Sequence, residues 1–214
     1  MKKTISIVLV GMMLAITNAF ANDGKYMEVM QKNIMTVYNA QTIPDLQAAV
    51  NSLERIASAE KTKWEPYYYV SFGYLMIANR EPDGAKKDGY LDLALAAVEK
   101  GKELAPAESE IIALEGFVHM LRITVDPASR GQKYSGLAYK SFGKAVAMNE
   151  NNPRALSLLA QMQFGTAEFF NSPTTEACAT LSKAADKFAT FKAENPLAPQ
   201  WGKKMTEELK AKCK

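Results

Sequence analysis

The chain predicts an all-α solenoid of about four antiparallel helix hairpins closed by a C-terminal capping helix. Three observations carry this expectation. A small residue at the middle of a first helix recurs as Gly73, Gly116 and Ala160 at a spacing of about 44 residues. Each is followed by a second-helix signature, Ala94-Val98-Gly101, Ala138-Phe142-Ala145 and Ala184-Phe188-Phe191, at nearly the same period. Helix-start signals punctuate the whole length, whereas the alternating Val/Ile/Thr runs that mark strands are missing. Units of this size bury their apolar faces against their neighbours and need several copies to be stable.

The starts follow from cap chemistry. Thr42-Ile43-Pro44-Asp45 has capping-box spacing with a proline in the first turn. Asn152-Pro153 and Ser172-Pro173 place a cap residue before an N1 proline, and Ala198-Pro199 repeats the pattern without a cap side chain. These signals predict helices over 25–40, 44–61, 65–79, 89–104, 108–123, 132–149, 153–169, 174–194 and 199–212. Breaks at Glu81-Pro82-Asp83-Gly84, Asp126-Pro127 and Asn171-Ser172-Pro173 fall inside hairpins, and the shorter joints at Ala105-Pro106 and Asn151-Asn152-Pro153 fall between them. The longer loops are therefore expected along one edge of the stack.

Residues 1–21 read as a cleaved signal peptide: Lys2 and Lys3, an apolar run from Ile5 to Ile16, and a small-x-small site at Ala19-Phe20-Ala21. Cleavage after Ala21 leaves 22–214 as a single repeat domain, periplasmic or secreted, with no stable membrane insertion. The 26 Lys and Arg nearly balance the 23 Asp and Glu, and no basic face is clustered, which argues against a nucleic-acid partner.

The second-helix residues Ala138, Phe142 and Ala145, leading through Met148 into Asn151-Asn152-Pro153, resemble the tetratricopeptide repeat. Ala94, Val98, Gly101 and Pro106 follow the same spacing, as do Ala184, Phe188, Phe191 and Pro196, and Ala49, Leu53 and Ile56 look like a degenerate first copy. The resemblance implies a right-handed superhelix whose first helices line a concave face. The family's unit is about 34 residues, so roughly ten extra residues per hairpin must lengthen the helices or enlarge the turns. The matching positions are packing residues, and they speak for fold rather than function.

Chemistry-bearing residues are few. Cys178 and Cys213 are the only cysteines. Antiparallel helices bring them to one end of the stack after paths of about 24 and 21 Å at 1.5 Å per residue, so a disulfide pinning the cap helix is expected. His119 stands alone and reads as a packed histidine rather than a ligand. Ser141-Phe142-Gly143-Lys144 fits the Ser-x-x-Lys pattern of penicillin-binding proteins, but its companion motifs are absent and Phe142 is a packing position. Neither a catalytic constellation nor a cofactor or metal motif is present, and an enzyme would need a trio such as His119, Arg122 and Asp126 to converge in one cleft. The mixed segment Asp126 to Tyr134 reads as a structural loop in which Asp126 caps a turn and Arg130 pairs locally.

Projecting the repeat register places Tyr67, Tyr74 and Ile77, then Glu110, Phe117 and Met120, then Arg154, Gln161 and Phe164 on the concave face. Aromatics flanked by Arg and Glu suit a peptide groove, while the same stripe at helical spacing also reads as core. The leading expectation is a non-enzymatic scaffold that binds an unidentified protein or peptide through this groove (Tyr67, Tyr74, Phe117, Met120, Arg154, Gln161, Phe164) or through the long-loop edge. The alternatives are a carrier of a small apolar or glycan ligand, or an accessory subunit of an envelope assembly. The scaffold needs Tyr74 and Phe117 exposed; the carrier needs them to wall a cavity.

Overall fold

The computed structural model describes residues 24–213, so the predicted signal peptide lies outside the described residues. Nine helices and no strand occur among them. They are α1 (24–39), α2 (Ile43–Ala59), α3 (Glu65–Arg80), α4 (Gly84–Leu104), α5 (Ser109–Ile123), α6 (Pro127–Met148), α7 (Pro153–Phe169), α8 (Thr175–Thr190) and α9 (Lys203–Lys210). Cap chemistry sets most starts. Thr42, Asp83, Asp126 and Asn152 each accept a hydrogen bond from a first-turn N–H, and prolines sit in the first turns of α2, α3, α6 and α7. Such caps are worth about 1 kcal/mol each.

Consecutive helices pair as α3/α4, α5/α6 and α7/α8, and the first helices α3, α5 and α7 also touch one another in an inner row. The chain is therefore an α-solenoid of stacked hairpins. The recurring small residues explain the stacking. A Cβ on Gly116 would lie 2.4 Å from Phe142 Cε1 on the facing helix, and one on Gly73 would lie 2.4 Å from Val50 Cγ2. Phe142, Ala138 and Ala145 are fully buried against this row.

Two sequence expectations are corrected. The extra residues of each repeat lie in helix, not in enlarged loops: α4 begins at Gly84 rather than 89 and α6 at Pro127 rather than 132, leaving three-residue turns at 81–83 and 124–126. Glycines at 84, 89, 131 and 136 made these first turns look irregular. A tertiary ion pair offsets their low propensity, because Arg130 on α6 donates two hydrogen bonds of 2.7 Å to Asp88 on α4. The edge expected to carry long loops therefore carries short turns, and Asp126 caps α6 through the Ser129 N–H.

The second correction is at the C-terminus. α8 ends at Thr190 rather than 194, and α9 begins at Lys203 rather than 199. Residues 191–202 between them form a non-helical strap. Pro196 and Pro199 withhold backbone donors, and Gly202 at φ 101° makes the left-handed turn into α9. The expected covalent pin is present: Cys178 on α8 and Cys213 just beyond α9 form a disulfide with Cα atoms 5.7 Å apart. It packs with Leu209 on a small second core of Ala160, Phe164, Ala177 and Leu181.

Replacing Gly116 with Ala should destabilise the fold by about 1–3 kcal/mol, because the rigid Phe142 ring cannot retreat from a close-packed row; equilibrium urea unfolding measures it. The Cys178→Ser/Cys213→Ser double variant should lose about 2–4 kcal/mol relative to the oxidised chain and should equal the wild type unfolded under reducing conditions.

Candidate functional site

The strap returns from α8 across the inner row and reaches as far as α1. Tyr69 on α3 donates its hydroxyl to the Leu197 carbonyl at 2.7 Å, and the Gln200 N–H donates to Tyr38 Oη on α1 at 3.2 Å. Trp201 donates its indole N–H to Tyr68 Oη at 2.9 Å. Its ring stacks on Phe72, with centroids 4.8 Å apart and planes 21° apart, and lies 6.3 Å from Phe117 at 30°. Leu197, the strap's own apolar side chain, is buried. Rings on α3 and α5 that would otherwise face water are thus covered by an extended segment of the same chain.

Below Trp201 runs a polar chain. Tyr68 donates its hydroxyl to Glu110 Oε2 at 3.5 Å, and Glu110 accepts from Arg154 Nε at 2.9 Å and pairs with Nη2 at 2.8 Å. Arg154 is only 1% exposed, and its guanidinium lies 4.4 Å from the centre of the Phe191 ring. Burial works against its charge, but the Glu110 carboxylate outweighs that and raises its pKa. Nη1 on the opposite edge has no hydrogen-bond partner. Burial, then Glu110, pushes the Tyr68 hydroxyl far above its ordinary range, so it acts as a neutral donor.

Beside this chain lies a cleft of about 400 Å³, bounded by the starts of α5 and α7, the end of α8 and the strap. Glu108, Asn152, Arg154, Lys187, Phe191 and Pro199 are among its walls. Glu108 caps α5 by accepting the Glu110 N–H at 3.0 Å. Its pKa is raised, first by burial and then by the carboxylates of Glu110 and Glu194.

The residues projected onto the concave face separate into three environments. Phe117 and Arg154 lie under the strap. Tyr74 turns away from it, donating to Glu54 on α2 at 2.7 Å and stacking on Tyr90 of α4. Burial and the Glu54 bond push its hydroxyl up to about 12. Tyr67 is half-buried and donates to the Ala57 carbonyl, while Phe164 belongs to the core beside the disulfide. Met120 and Gln161 are half-buried, and Gln161 Oε1 has no hydrogen-bond partner. Tyr74 is 4% exposed and Phe117 8%, so the open groove that needed both rings at the surface is not formed. The physical reason is the strap, which takes the place of solvent over Phe117, together with a register in which Tyr68, Tyr69 and Phe72 face inward instead of Tyr74. Sequence reasoning missed Tyr68, Tyr69, Phe72 and Trp201; the one signal for them was a tryptophan in a proline-punctuated segment.

The trio named for catalysis is engaged by separate partners, with His119 and Arg122 both beside the Tyr134 ring. Arg122 pairs with Asp88 and Asp92, Asp126 caps its own helix, and half-buried His119 stacks on Tyr134. Burial lowers the His119 pKa, keeping the ring neutral. Among the described residues no group of three or more His, Cys, Asp or Glu is placed to hold a metal ion, and no helix is long and apolar enough to cross a membrane. At the turn edge, Phe169 and Phe170 are 77% and 70% exposed and meet edge to face.

Architecture and helix pairing make the chain a tetratricopeptide-like helical repeat protein. Among solved structures, the HusA haemophore from Porphyromonas gingivalis superposes with a TM-score of 0.79 at 25% identity, over 88% of this chain and 92% of that one. A thermophilic TPR protein of Thermus thermophilus superposes with a TM-score of 0.54 at 17% identity, over 81% and 89% of the two chains, which speaks to fold alone. No family model matches the sequence, and no curated protein matches it.

Because Glu108 is harder to ionise in the fold than in the unfolded chain, its ionisation costs stability as pH rises through the window from its unfolded to its raised folded pKa. Glu108→Gln keeps a cap oxygen and should raise the melting temperature at pH 7 relative to wild type, with the difference vanishing near pH 4.

Proposed function

We propose that this chain is a non-enzymatic, extracytoplasmic carrier of a planar, apolar cargo of the haem class. The observation that carries this reading is the likeness to a haemophore over nearly the full length of both chains at 25% identity. The site geometry favours a small flat ligand over a peptide: the inner face is a stack of aromatic rings with one buried cation, and the strap lies where a peptide would run. A disulfide between the only two cysteines supports an oxidising compartment, in keeping with the signal peptide expected from residues 1–21.

The exposed Phe169–Phe170 pair favours a second reading, in which the turn edge docks a protein and the chain serves as a scaffold or accessory subunit. Paired exposed aromatics on a single chain are uncommon away from interaction sites.

Titrating the oxidised chain with iron protoporphyrin IX should give a saturable shift of the Soret band at one equivalent. A linear, non-saturating response would sink the carrier reading. The Phe169→Ser/Phe170→Ser variant should retain that titration if the pair serves protein docking, and lose it if the pair is itself the cargo platform.

A further inference from the structure

We propose that the cargo slot is the space that the strap's own Trp201 now fills, and that Arg154 Nη1 anchors a carboxylate of the cargo there. The inference rests on the carrier reading and locates its site. Trp201 is a flat ring stacked on Phe72 at 21° and set beside Phe117 at 30°, with its ring N–H held by Tyr68. Near-parallel aromatic walls with a hydroxyl at the edge form a site for a planar conjugated ring. The same Tyr68 is bonded to Glu110, which holds two nitrogens of Arg154 and leaves Nη1 buried without a partner. A buried donor left unpaired is destabilising, and a ligand acceptor removes that cost. Arg154 adjoins the strap directly, since a Cβ on Gly202 would lie 3.3 Å from Arg154 Cγ. Trp201 and Arg154 are thus linked through Tyr68 and Glu110, which sets a planar ring and a cation with one unpaired nitrogen in the same neighbourhood, the pair of groups that a carboxylated planar macrocycle would use.

The cleft that Glu110 and Arg154 also line is electrically mixed. Lys187 and Lys192 line it together with Glu108 and Glu194. Anion selectivity thus falls to Arg154, whose remaining edge is the buried one.

The strap can leave without the chain losing its end. Residues 191–202 have no helical hydrogen-bond ladder, are held over the inner row by tyrosine hydroxyls and ring stacking, and turn at Gly202 in the left-handed region. The Cys178–Cys213 disulfide ties α9 to α8, so both ends of the strap stay fixed while its middle lifts. Cargo and Trp201 then compete for one slot, and apparent affinity is the intrinsic affinity reduced by the fraction of chains with the strap open.

The test uses the full oxidised chain and iron protoporphyrin IX. Removing the competitor with Trp201→Ala should tighten binding by about tenfold or more, whereas a tryptophan that merely supports the fold, or that itself holds the cargo, would weaken it when removed. The dimethyl ester of the same porphyrin should bind Trp201→Ala at least about tenfold less tightly than the free acid, and Arg154→Gln in that background should erase the difference. In wild type, porphyrin should speed tryptic cleavage after Lys192, a readout that needs no variant to fold. Porphyrin binding that leaves Lys192 cleavage unchanged, and that Trp201→Ala leaves equal or weaker, overturns the slot while the carrier reading stands. No saturable binding to wild type or Trp201→Ala overturns both.

Discussion

Most of this architecture depends on covering the aromatic inner face. Stacking hairpins at close range puts Tyr68, Tyr69, Phe72 and Phe117 on a concave surface that the helices alone leave open. Each ring buried is worth about 1.5–3 kcal/mol in apolar transfer. The strap covers them by laying Leu197 and Trp201 into the row. An extended segment brings unpaired backbone groups with it, and the tyrosine hydroxyls meet that need by pairing with Leu197 O and Gln200 N. Three tyrosines, Tyr38, Tyr68 and Tyr69, therefore serve as apolar walls and as hydrogen-bond partners at once.

The position of α9 follows from the strap. Its eight residues bury little beyond Thr206, which bonds Ser157 on α7 at 2.7 Å. A helix this short is not stable by itself. The turn at Gly202 and the disulfide to α8 hold it in register, and it in turn closes the apolar end of α7 around Phe164 and Leu181. The last hairpin is thus finished by a covalent clip where a longer array would continue with another repeat.

Arg154 illustrates what a buried ion pair contributes. Its pairing with Glu110 offsets a desolvation cost that an apolar pair would not incur, so stability alone is a weak reason for its presence. Its effect is positional. Glu110 links the start of α5 to α7 and, through Tyr68, to α3, so three inner helices share one polar chain in register. That chain ends at a donor without a partner beside a stack of rings, and this asymmetry separates the site from ordinary core.

Helix number, repeat period, most of the second-helix packing residues and the cysteine pairing were legible in the sequence, because each depends on local periodicity or on path lengths along rigid helices; Phe191, read as the last of those packing residues, lies beyond α8 in the strap. Gly116 announces a close approach whatever the approaching group is, and Phe142 announces a large one. The starts of α4 and α6 were not legible, since glycine-rich first turns become helical only when Arg130 reaches Asp88 across the hairpin. Likewise Tyr74 and Tyr69 carry the same local pattern, and only the packing against α2, α4 and the strap decides which one faces inward. By itself the sequence determined an all-α repeat with a short covalently pinned end. The tertiary structure alone decided that residues 191–202 cross the concave face, because the packing of half-buried Trp201 rests on rings more than 80 residues away in the chain, and no local signal encodes a contact of that separation.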